Sequence, residues 1–194
     1  MDQNHTNILR DSITKLSILS GILWIVIGYT IIHFFHDQSF LELVTEGSAV
    51  MIQLLSGILA GFLFGVAGVL MLRNPDFKTT FDDYAIIKEL KKLTLTTPQI
   101  LQISIVAGIS EEILFRLALQ PLLGIWLTSL IFIGIHGYIR FKTFRHILFT
   151  GFTFLLSSVL GILMIYFGIL AAIIAHTLYD IILLWELKKN SSDL

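Results

Sequence analysis

The sequence predicts an all-α membrane protein, a bundle of about six transmembrane helices with one short helix along the membrane surface. Apolar residues make up 55% of the chain and charged residues 14%, with a mean hydropathy of +0.84. This balance is far from that of soluble domains. Apolar runs of about 20 residues, the length that crosses the hydrocarbon core of a bilayer, follow one another with short breaks. The 194 residues leave room for little else, so we expect one membrane domain over residues 1–194.

Six apolar runs are predicted to span the membrane. They lie at about residues 16–35, 48–72, 98–120, 122–139, 147–166 and 168–187. The first run is longer than the apolar core of a usual signal peptide, and no small-x-small cleavage pattern follows it before His36. We therefore interpret the first run as a retained helix.

The segment from Phe81 to Lys92 has a different pattern. Apolar side chains recur there every three residues among charged ones, at Phe81, Tyr84, Ile87 and Leu90. This pattern predicts an amphipathic helix that lies along the membrane surface. We interpret it as a linker, with a lid or a substrate-docking helix as the alternative.

Lys and Arg residues fall on one side of this arrangement. Twelve of the 13 precede the first span, separate the second from the third or the fourth from the fifth, or follow the sixth. The opposite loops contain none. Because short loops rich in Lys and Arg stay in the cytoplasm, both termini are expected to be cytoplasmic. The remaining basic residue, Arg116, falls inside the third predicted span.

The overall composition excludes several classes of function. A net charge of -1 gives no broad basic field for binding phosphates, so no nucleic-acid partner is expected. The absence of cysteine excludes disulfides, Cys-ligated zinc, iron–sulfur clusters and a thiol nucleophile. Any chemistry therefore depends on carboxylate, imidazole or hydroxyl groups.

Ionisable side chains lie inside three of the predicted spans. Each charged group near the bilayer centre costs at least about 2.5–3.5 kcal/mol on insertion scales, so such groups face the bundle interior and pair there. We interpret the cluster as functional, and polar contacts that only hold the helices together are the alternative. Its members are Glu111, Glu112 and Arg116 in the third span, His136 in the fourth, and His176 and Asp180 in the sixth.

The spacing of these residues along their helices indicates which side chains can pair and which remain available for chemistry. Glu112 and Arg116 are four residues apart, so they share a helix face and can neutralise each other, whereas Glu111 is rotated by about 100°. His176 and Asp180 have the same spacing, so Asp180 can orient the imidazole or act beside it. Glu111, His136, His176 and Asp180 are predicted to converge on one water-filled cavity. There a buried carboxylate can act as a general base on water, while imidazoles position the water or donate to an oxyanion.

Three segments together resemble the CPBP family, which contains the type II CAAX prenyl endopeptidases and their bacterial Abi-type relatives. The segments are EEILFR (111–116), FIGIH (132–136) and HTLYD (176–180). They match the family's pattern of EExxxR, FxxxH and HxxxN or HxxxD on three membrane helices. The resemblance covers residues 98–187 as a catalytic core and leaves residues 1–97 as accessory helices and the surface segment.

The resemblance implies an intramembrane endopeptidase. Glu111 would activate water together with His136, His176 and Asp180 would lie at the oxyanion, and Glu112, Arg116 and Phe132 would support them. The substrate would be a peptide or membrane protein in the lipid bilayer. It would be lipidated if the chain performs CAAX-type processing, while a role in bacteriocin self-immunity is the alternative among bacterial members. We accordingly expect an integral protein of a bacterial plasma membrane.

Two positions depart from the family pattern. Leu117 stands where Gly or Ala is frequent, and Asp180 stands where the prenyl endopeptidases have Asn. An ionised Asp180 would repel an oxyanion that an amide would stabilise. Counting about 1.5 Å per residue along the predicted spans also leaves an apparent offset of about 5–10 Å in depth between Glu111 and His136, which tilt or shifted helix boundaries must close.

Other functions remain open from the sequence. Glu111, His136, His176 and Asp180 also form an N/O ligand set for zinc, but we favour a metal-free glutamate protease without a cofactor because no HExxH pair is present. A non-catalytic membrane scaffold or immunity protein is one rival. A proton or metal-ion carrier is the other, since buried acids and histidines also form relays.

Overall fold

The computed structural model describes residues 3–91 and 95–192, with side chains described over 12–91 and 95–189. All regular elements in those ranges are helical, and one antiparallel bridge joins Gly47 to Gly168. The all-α prediction is confirmed. The elements are α1 (Gln3–Phe35), α2 (Phe40–Thr45), α3 (Val50–Arg73), α4 (Pro75–Phe81), α5 (Ala85–Lys91), α6 (Thr97–Glu112), a π-helix (Ile113–Leu119), α7 (Gln120–Ile135), α8 (Phe144–Tyr166) and α9 (Ile169–Ser192).

Five segments of the described chain are long and apolar enough to cross a membrane. They are Ser12–Phe35, Val50–Arg73, Thr97–Ile135, Phe144–Tyr166 and Ile169–Lys189. This confirms a polytopic helix bundle. The five segments correspond to six predicted spans because the 39-residue segment Thr97–Ile135 contains both the third and the fourth.

The 39-residue segment folds back on itself at Gly124. This residue has φ 76° and ψ 166°, a backbone conformation that glycine adopts without a steric penalty. On a straight helix Phe115 and Phe132 would be about 25 Å apart. Their ring centroids are 4.9 Å apart, so the two arms of the segment lie side by side.

Local sequence explains where several helices begin. The side chains of Thr96 and Gln99 form a capping box at the start of α6, and the Asn74 side chain accepts a hydrogen bond from the Asp76 N–H at the start of α4. Both helices also carry proline in their first turn, where its missing N–H is not needed. These caps satisfy backbone groups that would otherwise have no partner at the helix ends.

Contacts near the helix ends show which elements lie at the same end of the bundle. At one end, the Gln99 amide donates to the Thr14 hydroxyl (3.2 Å), and Lys188 donates to Thr97 (3.3 Å). At the other end, His36 donates from Nε2 to the Ala118 carbonyl (2.9 Å). The start of α1 and the end of α9 therefore lie at the same end of the bundle. The distribution of Lys and Arg also places the two termini on the same side. That this side is cytoplasmic stays a prediction.

The segment predicted as one surface helix, Phe81 to Lys92, begins at the last residue of α4, turns at Asp82 to Tyr84 and continues as α5; Lys92 lies outside the described residues. Phe81, Tyr84 and Ile87 are buried, and the first two pack against Phe149. Asp83 turns away to Lys142 (3.0 Å), and this hydrogen bond holds the pKa of the Asp83 carboxyl below its usual range. The aromatic side chains thus enter the protein core instead of facing lipid, which bends the segment.

Helix α3 packs very closely against α9 through a row of glycines. Gly57, Gly61 and Gly65 are spaced four residues apart on one face of α3. A Cβ atom built at Gly61 would lie 2.6 Å from the Ala175 carbonyl oxygen, in the backbone of α9. Small residues permit such close approach between membrane helices, where packing is a main source of association. Because α9 carries His176 and Asp180, the glycine face of α3 determines where those two side chains lie.

We expect Gly61→Ala to lower the free energy of unfolding in detergent by about 1–3 kcal/mol, because the added methyl group forces α3 and α9 apart. The matched control is Gly151→Ala in α8, where an added Cβ meets nothing within 4 Å. That control is expected to be neutral or slightly stabilising. Equal stability of the two variants would show that the close α3–α9 contact is not formed.

Candidate active site

The centre of the candidate site is the junction of α6 with the π-helix. The Gln120 N–H bonds to the Phe115 carbonyl, five residues earlier, so the backbone here is wider than an α-helix. Residues 113–118 are all buried, because this wider turn is surrounded by protein on every side. Such π-turns occur frequently at functional sites, where they redirect side chains.

Glu112 and Arg116 form a fully buried ion pair. Arg116 Nε lies 3.0 Å from Glu112 Oε2, and neither side chain has any exposed surface. The same guanidinium donates to the Ser157 hydroxyl (2.8 Å), which ties the π-helix to α8. A buried charge needs both a counter-charge and hydrogen bonds to be tolerated, and this pair has both.

Gln120 completes this polar network. Its side-chain oxygen lies 3.4 Å from Arg116 Nη1, and its amide donates to the Gly161 carbonyl in α8 (3.0 Å). Gln120 follows Arg116 by four residues, so the helical spacing could have identified it. Ser157 carries no comparable signal, because its position depends on how α8 packs.

Glu112 also orients His176. The imidazole donates from Nδ1 to Glu112 Oε1 (2.8 Å). Asp180, which the sequence suggested for this role, instead lies 3.7 Å from Nε2 on the other side of the ring. Because Nδ1 is directed at Glu112, Nε2 faces Glu111 and Asp180, and it can donate a hydrogen bond when the ring is protonated.

His136 has the same arrangement at the end of α7. Its Nδ1 donates to the Phe132 carbonyl (2.7 Å), and its Nε2 lies 3.4 Å from Glu111 Oε2. The Phe132 ring stacks on His136 at 4.5 Å and meets His176 edge-on at 5.9 Å. Phe132 therefore separates the two imidazoles and fixes the angle between them.

The position of the fold-back resolves the predicted depth offset. The sequence placed the break near residue 121, whereas the backbone reverses at Gly124. Glu111 and His136 are then 13 and 12 residues from the reversal and lie at the same depth. A shifted helix boundary therefore closes the apparent offset, and the sequence did not locate it because apolar residues on both sides of Gly124 hide the position of the turn.

Glu111 is the carboxylate with an unused oxygen. Its Oε2 is buried and has no hydrogen-bond partner among the described residues. It lies 3.4 Å from His136 Nε2 and 3.9 Å from His176 Nε2. An unsatisfied buried carboxylate oxygen is costly, so this position favours a small hydrogen-bonding guest such as water.

A cavity of about 500 Å³ opens onto this cluster. Glu111, His136, His176 and Asp180 all line it, so the structure brings the four predicted residues to one place. Its remaining walls are mostly apolar, and some of them come from the accessory part of the chain. Leu16 of α1 and Ile86 of α5 line the cavity and are also exposed, which indicates that the cavity reaches the protein surface between those helices.

The arrangement of the histidine and acidic side chains also bears on metal binding. Within residues 3–91 and 95–192, no group of three or more such side chains is arranged to hold a metal ion.

Residues 93–182 match the family model described as Type II CAAX prenyl endopeptidase Rce1-like. No curated protein and no solved structure matches the chain. The matched range contains all three motif segments.

We expect Arg116→Met to destabilise the protein by about 3–5 kcal/mol, because it leaves the buried Glu112 carboxylate without its counter-charge. The double variant Glu112→Gln with Arg116→Met removes both charges and should recover much of that loss. Unfolding in detergent measures both free energies. If the double variant were less stable than the single one, the two charges would not be compensating each other.

Proposed function

The chain belongs, through residues 93–182, to the Rce1-like family of type II CAAX prenyl endopeptidases, and we propose that it hydrolyses a peptide bond with water activated by Glu111 and His136. The observation that carries this proposal is the unpartnered Glu111 oxygen, which lies 3.4 Å and 3.9 Å from two imidazole nitrogens on a cavity wall. A water molecule between Glu111 Oε2 and His136 Nε2 would be held and polarised by both, with His176 Nε2 beside it facing the substrate carbonyl.

In the proposed reaction Glu111 is the general base. The water oxygen bonds to the substrate carbonyl carbon while Glu111 accepts a water proton, and the carbonyl π electrons move to oxygen to form an oxyanion. The bond from carbon to nitrogen then breaks, and Glu111 returns the proton to the leaving amine. His136 positions the water, because the Phe132 carbonyl holds its Nδ1 proton.

His176 and Asp180 act on the opposite side of the reacting carbonyl. A protonated His176 donates from Nε2 to the oxyanion, while Glu112 accepts from Nδ1 and balances the positive charge. Asp180, 3.7 Å from Nε2, adds a second negative charge that favours the protonated ring. Glu112 and Arg116 stay paired throughout and act as support.

The substrate we propose is a peptide or membrane-protein segment that enters from the bilayer. A largely apolar cavity suits an apolar segment or a lipid chain, so CAAX-type processing of a lipidated substrate is the first role to test. Self-immunity against bacteriocins is the second. In either case we propose that both termini, and the end of the bundle that carries Lys142 and Lys188, face the cytoplasm of a bacterial plasma membrane.

A purely structural role explains the site less well. A cluster retained only for packing would pair all its polar groups, as Glu112 and Arg116 do. Glu111 has instead an unsatisfied oxygen on a cavity. Absence of cleavage in the assay below would favour a scaffold or an ion carrier instead.

We expect Glu111→Gln and His136→Ala each to lower kcat by at least about 100-fold. The first variant lacks the general base, and the second lacks the imidazole that positions the water. The assay uses the protein in liposomes with a fluorogenic peptide that carries a CAAX ending, in prenylated and unprenylated forms. The matched control is His33→Ala, an exposed imidazole of α1 at the opposite end of the bundle, which should retain wild-type activity. Equal cleavage by all the variants would refute the protease mechanism.

Metal chelation tests the choice between a glutamate protease and a zinc enzyme. We expect dialysis against a strong chelator to leave the cleavage rate unchanged, because the proposed base acts without a metal. Loss of activity that added zinc restores would overturn this proposal. It would assign Glu111, His136, His176 and Asp180 as ligands instead.

A further inference from the structure

The oxyanion is the least supported charge in this active site. Asp180 stands at the position where the prenyl endopeptidases have Asn, whose amide could donate a hydrogen bond to the oxyanion. An ionised carboxylate has no proton to donate. Arg116 is held in the buried network by Glu112 and Ser157. His176 then remains as a single donor, whereas developing oxyanions are usually stabilised by more than one preorganised group.

Tyr138 lies beside His136 on the wall of the same cavity and is held by its backbone. It follows the end of α7, after Gly137 with φ 71°. Its N–H donates to the Ile133 carbonyl (2.9 Å), and its own carbonyl accepts from the Thr150 hydroxyl (2.7 Å). Both polar groups of the backbone are therefore used to fix one residue just beyond the membrane-spanning segment.

The aromatic ring of Tyr138 is fixed as well. It stacks on the His136 imidazole with centroids 5.5 Å apart and planes 22° from parallel. On its other sides it meets Tyr84 at 6.1 Å and Phe149 at 5.5 Å, both edge-on. These contacts restrict the ring to one orientation beside the imidazole, as oxyanion donors require.

The phenol of Tyr138 has no hydrogen-bond partner among the described residues, although the residue lines the same cavity as Glu111 and Asp180. Burial, and then the charges of Asp180 and Glu111, raise the pKa of the phenol above its usual value. The hydroxyl therefore keeps its proton at neutral pH. It is a hydrogen-bond donor on the wall of the cavity that Glu111 and Asp180 also line.

We infer that Tyr138 is a further catalytic residue, whose hydroxyl donates a hydrogen bond to the oxyanion of the tetrahedral intermediate. This inference rests on the proposed hydrolysis. As water adds to the carbonyl carbon and Glu111 takes the proton, the negative charge that forms on oxygen is shared between the Tyr138 O–H and His176. The phenol proton is not transferred, and the hydrogen bond is released when the carbon–nitrogen bond breaks.

The test is Tyr138→Phe, which keeps the ring stacked on His136 and removes only the hydroxyl. Loss of one oxyanion donor typically lowers kcat by about 10²–10³-fold, and we expect at least a tenfold loss here with KM within about twofold. A peptide aldehyde of the same sequence, whose hydrate resembles the tetrahedral intermediate, should bind more weakly by a similar factor. Loss of packing alone would not separate kcat from KM in this way.

The matched control is Tyr84→Phe. Tyr84 is a buried tyrosine that contacts Tyr138 but does not line the cavity, so its hydroxyl cannot reach the substrate. We expect that variant to keep kcat within about twofold. An unchanged kcat in Tyr138→Phe, or an equal loss in both variants, would overturn the assignment of Tyr138 alone. A wild-type protein without any cleavage would refute the proposed hydrolysis and this inference with it.

Discussion

The buried contact between Glu112, Arg116 and His176 is the interaction on which the rest of the site depends. An ionised carboxylate inside a bilayer is strongly disfavoured unless it has partners, and Glu112 has one on each oxygen. This arrangement commits Glu112 to structure, orients the His176 ring and leaves the adjacent Glu111 as the carboxylate on the cavity. Two neighbouring residues of the same chemical type thus acquire different roles because a helical turn directs them to different surroundings.

Elements far from the reacting side chains determine whether Glu111, His136 and His176 lie close together. The reversal at Gly124 brings His136 to the depth of Glu111, and the glycine face of α3 allows α9 to carry His176 close to both. Helix α1 adds part of the cavity wall through Leu16. The first half of the chain therefore contributes to the site through packing and cavity shape, although it supplies none of the ionisable residues of the cluster.

Much of the fold and the identity of the cluster could be predicted because both depend on strong local signals. Long apolar runs predict spans, and charges within them are rare enough to indicate a site. The reversal at Gly124, the bend after Phe81 and the partner of His176 could not be predicted, since each depends on contacts between segments distant in sequence. Tyr138 was missed for the same reason: an aromatic residue near a helix end has many ordinary roles, and only its neighbours distinguish it.

The central claim is that side chains of α6, the end of α7 and α9 surround one cavity within the membrane. The chain contains no cysteine, so pairs of introduced cysteines can be tested without background. A short thiol crosslinker applied to membranes should join Glu111→Cys to His176→Cys, and Glu111→Cys to His136→Cys, but not Glu111→Cys to His33→Cys at the far end of α1. Crosslinking in neither of the first two pairs, with both cysteines reactive on their own, would contradict the account.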